Sequence, residues 1–215
     1  MVLDPNAVFG AAGAAIAALL GGLGAAIGIG TGGSAMIGTV AERPETFSKA
    51  MIAVVLAEAL GIYGLLVSFM IIMNLNTITN TAQGLTAIAA GTCIGVAALA
   101  SGRSIAKAGA AMCTTIARAP ETFSKALVSV VLAEALAIYG LLASFMMIMR
   151  LRDITDLGQA SMAIASTVAI GLATIAAGYS IGKVGASLAR TVAESPGTFS
   201  KGLVPVVLAE ALAIY

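Results

Sequence analysis

The chain has 215 residues, 60% hydrophobic and 10% charged, with a formal net charge of +1 and a mean hydropathy of +1.04. That balance excludes an ordinary soluble domain, and the chain reads as an all-α membrane protein. With no basic cluster and no histidine it offers neither a nucleic-acid footprint nor a histidine-based metal site.

In chain order, apolar stretches run over about 7–41, 48–73, 82–117, 124–149, 158–193 and 199–215. All but the last exceed the ~20 residues needed to cross a bilayer core. They lack the strict alternation of a membrane barrel, so helices, which satisfy their own backbone groups, are expected. The opening MVLDPNAVFG carries Asp4 and neither Lys nor Arg, so it lacks the basic start of a secretory signal and the first stretch is expected to be retained as a span.

Within that stretch, Gly28, Gly30 and Gly33 formally match a dinucleotide-binding pattern. The pattern requires a preceding strand and a following helix, and here it lies inside one apolar run. No cofactor is expected. Cys93 and Cys113 share the third predicted helix, about 30 Å apart, and read as small packing residues rather than a disulfide.

A repeat organises everything else. PETFSKAMIAVVLAEALGIYGLLVSFMIIM from Pro44 recurs from Pro120 as PETFSKALVSVVLAEALAIYGLLASFMMIM, and from Pro196 as PGTFSKGLVPVVLAEALAIY, at a common interval of 76 residues. The chain is therefore three tandem helical hairpins, 1–76, 77–152 and 153–215, with six helices. Counterparts of Gly140–Met149 do not follow Tyr215, so the last helix is expected to be incomplete and the native chain to continue. Two spans per unit give all units the same orientation, which favours a ring or palisade over inverted halves around a central site. In each unit the first helix is rich in small residues and the second is bulky. The first helices should therefore pack tightly as an inner circle, with the second helices facing lipid.

Each bulky helix carries one acid in an apolar setting: Glu58, Glu134 and Glu210 in VVLAEAL. An acid at mid-helix costs about 2.5–3.5 kcal/mol to insert, so three at one position imply a function. The expected role is a reversible ion site, neutral against lipid and ionised where a hydrated path or fixed cation meets it. Tyr63, Tyr139 and Tyr215 each lie five residues after a glutamate, where a phenol can reach a carboxyl across a helix interface. Arg103, Lys107 and Lys183 on the small-residue helices are expected to point away from the carboxylates, toward a ring interior. Loop charges also give an orientation. Arg43, Lys49, Arg118, Lys125, Arg190 and Lys201 flank the three Pro loops, against Arg150 and Arg152 at the other end, which places the Pro loops in the cytoplasm.

The motifs P-E-T-F-S-K, V-V-L-A-E-A-L-A-I-Y-G-L-L and S-I-A-K-A-G at Ser104 resemble the proteolipid (c/K-type) rotor subunits of A-type and V-type rotary ATPases, over nearly the whole chain. The resemblance implies a non-catalytic membrane-sector protein whose copies form a homo-oligomeric ring in the lipid bilayer. It also implies that Glu58, Glu134 and Glu210 bind the transported ion, that a stator subunit supplies an arginine, and that a subunit of the central stalk meets the Pro loops. Sodium-carrying relatives have a Thr-Gln pair after the carboxylate and a Gln on the inner helix. Here Ala59-Leu60, Ala135-Leu136 and Ala211-Leu212 follow it, while Gln83 and Gln159 lie at the far ends of inner helices. Protons are the expected ion, with sodium the alternative. Two competing readings are a self-assembling channel with pore-lining glutamates and a purely structural scaffold.

Overall fold

The computed structural model describes residues 4–215; Met1–Leu3, at the start of the stretch expected to be retained as a span, lie outside it. Six α-helices follow one another: α1 Ala7–Glu42, α2 Phe47–Met73, α3 Thr81–Arg118, α4 Phe123–Met149, α5 Leu157–Glu194 and α6 Phe199–Ala211. The first five are long and apolar enough to cross a membrane. At 1.5 Å per residue, α2 and α4 are about 40 Å long and α3 and α5 about 57 Å, so all four outreach a ~30 Å hydrocarbon core, α3 and α5 by far the more.

The reversals are built by the repeat itself. Pro44, Pro120 and Pro196 each open a short 3-10 turn, and the residue before each proline is held extended at φ −142°, −137° and −142°. Such a residue is kept out of the helical region by the proline ring, so the preceding helix must stop there. The hydroxyls of Thr46, Thr122 and Thr198 then donate back to the carbonyls of Arg43, Ala119 and Ser195, at 2.7 Å in each case. At the opposite end Asn80 and Asp156 cap α3 and α5 by accepting from the backbone N–H of Gln83 and Gln159. Each glutamine accepts in return from the backbone N–H before the cap, Thr79 or Thr155, at 2.8 Å. This is a capping box displaced by one residue.

α1, α3 and α5 form one layer and α2, α4 and α6 a second. α3 lies in the middle and buries residues along its whole length, among them Ala87, Ile94, Ile105 and Met112. Glycine sets the inner spacing. A Cβ on Gly102 would meet the Gly24 backbone, one on Gly91 the Gly13 backbone, and one on Gly24 the Ala98 backbone. Gly13 and Gly24, like Gly91 and Gly102, are eleven residues apart, three helical turns, so these close approaches fall on one straight stripe. The bulky helices expose Leu65, Phe69 and Ile72 on α2 and Leu142, Phe145 and Met149 on α4, the apolar surface a lipid-facing layer needs.

α6 ends as a regular helix at Ala211, four residues short of the expected limit. Residues 212–214 form turns, and within α6 Pro205 deprives the Lys201 carbonyl of its partner.

Candidate functional site

Glu58, Glu134 and Glu210 occupy the same place, the twelfth residue of α2, α4 and α6. That is about 16 Å in from the helix start, a little before the midpoint of the ~40 Å α2 and α4. The helix wheel turns each one outward beside a buried alanine, Ala57, Ala133 or Ala209, which packs toward the inner layer. Gly28 is part of this arrangement: it lies inside α1, and a Cβ there would come within 2.6 Å of Ala57 Cβ. Gly28 thus serves helix packing, while Gly30 and Gly33 of the same string have nothing within 4 Å of a Cβ built on them. In the second hairpin Ser101 of α3 adds a tether, donating to the carbonyl of Ala133 at 2.7 Å.

The tyrosines do reach the carboxylates, in a particular order. Tyr63 on α2 donates to Glu134 Oε1 on α4 at 2.6 Å. Tyr139 on α4 donates to Glu210 Oε1 on α6. Each tyrosine serves the glutamate of the following hairpin, 71 residues away, rather than the glutamate five residues before it. Glu134 and Glu210 are accordingly half-buried. Glu58 and Tyr215, the first acid and the last phenol, are both exposed and are not brought together.

The same step carries a second pair of contacts, at the Pro-loop end. Lys49 Nζ donates to the Pro120 carbonyl at 3.0 Å, and Lys125 Nζ to the Pro196 carbonyl at 2.9 Å, again 71 residues apart. Each ammonium also sits 5.9 Å from a ring centroid, Phe123 for Lys49 and Phe199 for Lys125. Sequence reasoning uses these lysines for orientation and misses their part in joining hairpins, although the shared 76-residue interval is the available signal.

The inner-helix cations lie elsewhere. Lys183 Nζ bonds the Tyr179 hydroxyl at 2.6 Å, and Lys107 Nζ lies 5.6 Å from the Tyr179 ring centroid. Both lysines and Arg103 are exposed. With Thr31, Thr114 and Arg190, Lys107 and Lys183 line a groove of about 630 Å³ across the small-residue layer. Gln83 and Gln159 are committed to the helix caps, at the end of α3 and α5 remote from the Pro loops.

The profile of the ATP synthase C-subunit family matches three successive segments, residues 12–71, 88–147 and 164–215. The chain belongs to this family. Each matched segment holds one small-residue helix and one glutamate-bearing helix, so the family unit coincides with the structural repeat. Among its relatives is the A-type ATP synthase subunit K of Methanocaldococcus jannaschii, 33% identical over 214 residues, covering 100% of this chain and 94% of that protein. The V-type sodium ATPase subunit K of Enterococcus hirae is 32% identical over 142 residues, 66% of this chain and 91% of that one. The 16 kDa proteolipid of the V-type proton ATPase of Homo sapiens is 32% identical over 96 residues, 45% of this chain and 62% of its own length. Relatives of this chain thus bear names for both ions.

Proposed function

We propose that this chain is the ion-carrying rotor proteolipid of an A/V-type ATP synthase or ATPase. Its three hairpins, 1–76, 77–152 and 153–215, stand side by side, several copies close a ring, and Glu58, Glu134 and Glu210 carry the ion. The chain performs no nucleotide chemistry; it converts ion passage into rotation for other subunits. The observation that carries this reading is the carboxyl–phenol bond between neighbouring hairpins, made twice at mid-span over the same 71-residue interval. The names of the A-type and V-type relatives support it.

In this mechanism each glutamate crosses lipid as the neutral acid, because an ionised carboxylate in hydrocarbon is far more costly. The tyrosine of the preceding hairpin can donate to a carboxyl oxygen in either protonation state, so it holds the side chain in one orientation throughout. Where the belt of glutamates meets an arginine on a stator subunit, the ionised form is favoured and the proton leaves for an access path. One charge moved through 100 mV supplies about 2.3 kcal/mol, so several glutamates must act in series for each ATP. A carboxyl in every hairpin raises the number carried per turn. The Pro loops face the cytoplasm and meet the central stalk.

Protons fit better than sodium. A bare cation needs several oxygen ligands, whereas Ala59-Leu60 and its counterparts supply no side-chain oxygen and the glutamines are held in caps. The test is reaction of the protein in membranes with a hydrophobic carbodiimide, mapped by peptide mass. Label is expected on Glu58, Glu134 and Glu210, and Glu→Gln at all three should abolish both label and ion-coupled ATP turnover. Label elsewhere, or turnover surviving the triple change, would refute the assignment. Passive ion conduction by the purified chain in liposomes would favour the channel.

A further inference from the structure

The second hairpin carries a polar clamp between its two helices. Ser101 of α3 donates to the carbonyl of Ala133 on α4 at 2.7 Å. Ser144 of α4 donates back to the carbonyl of Ala90 on α3, also at 2.7 Å, while sharing its proton with Gly140 of its own helix. All four residues that the clamp joins are buried. Ala90 and Ser101 are eleven residues apart, as are Ala133 and Ser144. Eleven residues make three helical turns, so both bonds fall on one line along each helix, about 16 Å apart. Two bonds so placed and opposite in direction resist both rolling and sliding of α4 on α3.

The bond from Ser101 falls on the peptide unit that joins Ala133 to Glu134. Glu134 is thereby held at both ends of its side chain, since Ser101 fixes the backbone it grows from and the Tyr63 phenol holds the carboxyl. The other two glutamates lack the backbone half. Ala25 and Ala177 stand where Ser101 stands, with no hydroxyl to give the Ala57 or Ala209 carbonyl. α6 departs further, because Pro205 takes the place of Ser129 and removes a backbone hydrogen bond from the turn before Glu210. Glu210 still receives a phenol, from Tyr139, so it differs from Glu134 chiefly in how its backbone is held.

We propose that Ser101 is a positioning residue that makes Glu134 the most rigidly placed of the three carboxyls, so that the chain presents unequal ion sites rather than three copies of one. This rests on the rotor reading and refines it, since a rotor built from this chain then meets one fixed carboxyl in every three. A carboxyl must turn from its phenol toward the access path before its proton can leave. Glu134 makes that turn through its own side-chain torsions alone, whereas Glu58 and Glu210 also move with their helices. Glu134 therefore exchanges its proton more slowly.

Carbodiimide labelling of the full-length chain in membranes, timed by peptide mass at each glutamate across a range of pH, tests this. Glu134 should label more slowly than Glu210. Ser101→Ala removes one oxygen and adds no bulk. It should speed labelling of Glu134 by about two- to tenfold, the range one hydrogen bond supports, with Glu58 and Glu210 unchanged. In the same variant the pH of half-maximal labelling of Glu134 should move toward that of Glu210. Ser144→Ala breaks the companion bond three turns from the carboxyl and should affect Glu134 less. Equal effects of the two serine changes would mean that Ser101 only stabilises the hairpin, and would overturn its positioning role. Equal rates at Glu134 and Glu210 in the unaltered chain, no change at Glu134 in Ser101→Ala, or a rise at all three glutamates would overturn the proposal and leave the rotor reading standing. Failure of all three glutamates to label in the unaltered chain removes the rotor reading itself.

Discussion

Replacing Gly102 by Ala tests whether inner-helix spacing governs the ion site. Gly102 on α3 faces the Gly24 backbone of α1, and an added Cβ would fall 2.7 Å from Gly24 C and 2.9 Å from its Cα. Neither atom can rotate aside, so α1 must retreat by about 0.5–1 Å, which forfeits a quarter to a half of the dispersion energy of each contact along the stripe. Overpacking of this kind costs about 1–3 kcal/mol. Gly→Ala also gains up to about 1 kcal/mol of helix propensity, so the comparison needs a control in which only that gain operates. Gly38→Ala is such a control, because nothing lies within 4 Å of its Cβ position. The difference between the two variants is then the overpacking cost, roughly a five- to 150-fold shift in the unfolding equilibrium in mixed detergent. The site should respond as well. Tyr63 sits on α2, which packs so closely on α1 that a Cβ on Gly21 would lie 2.8 Å from Gly64 Cα. Glu134 sits on α4, tied to α3 through Ser101 and Ala133. Separating α1 from α3 therefore stretches the Tyr63–Glu134 bond and should speed carbodiimide labelling of Glu134. Equal unfolding midpoints for Gly102→Ala and Gly38→Ala, or unchanged Glu134 labelling, would refute the reasoning.

Three further outcomes can be measured directly. Glu134→Gln keeps an amide oxygen for the Tyr63 hydroxyl, so assembly should survive while one carrier in three is lost, read as a lower ion-to-ATP ratio or a stalled rotor in reconstituted vesicles. Sodium up to high millimolar concentration should not protect Glu58, Glu134 or Glu210 from carbodiimide, and protection would reverse the choice of proton. Asp156→Ala removes the α5 cap that accepts from the Gln159 N–H at 3.0 Å and should lower stability by about 0.5–2 kcal/mol in detergent unfolding, with Asp156→Asn close to neutral.

Helix positions and turn chemistry are legible in the sequence because they depend on local rules. The prolines end each inner helix, and Asn80 and Asp156 start the next, by constraints acting within four residues. The depth of the glutamates is legible too, since it follows from counting along the helix. The pairing of Tyr63 with Glu134 is not. Five residues put Tyr63 about 140° round the helix from Glu58, which shows that the two face different neighbours but not which neighbour receives the phenol. That depends on how far one hairpin is rotated and displaced against the next, a property of the glycine stripe of α1 and α3. Ser101 escapes notice for another reason: Ala25 and Ala177 stand at the equivalent positions, so a repeat-based reading averages it away.

The same stripe also shows why the seams between hairpins are not interchangeable. Gly91 of α3 faces the Gly13 carbonyl of α1, and in the next hairpin its counterpart is Thr167, whose hydroxyl donates to the Ala89 carbonyl at 2.9 Å. Ala89 is the counterpart of Gly13, so at this level one inner seam is closed by backbone contact and the other by a side-chain bridge, although Gly178 still meets the Ala100 backbone further along the second seam. A threonine at 91 would collide with the Gly13 backbone, whereas a glycine at 167 would leave a gap where the bridge stands. The α1–α3 pair is therefore held mainly by packing and the α3–α5 pair partly by hydrogen bonds, this one and that from the Thr115 hydroxyl to the Ala189 carbonyl at 3.1 Å, each worth about 0.6 kcal/mol on average inside membranes. Thr167→Val, which keeps the shape and removes the donor, should loosen α5 alone. Labelling of Glu210, whose tyrosine lies across that seam, should then rise while Glu134 is unaffected. A parallel rise at both glutamates would mean that the seams move as one body and that the hydroxyl bridge has no separate role.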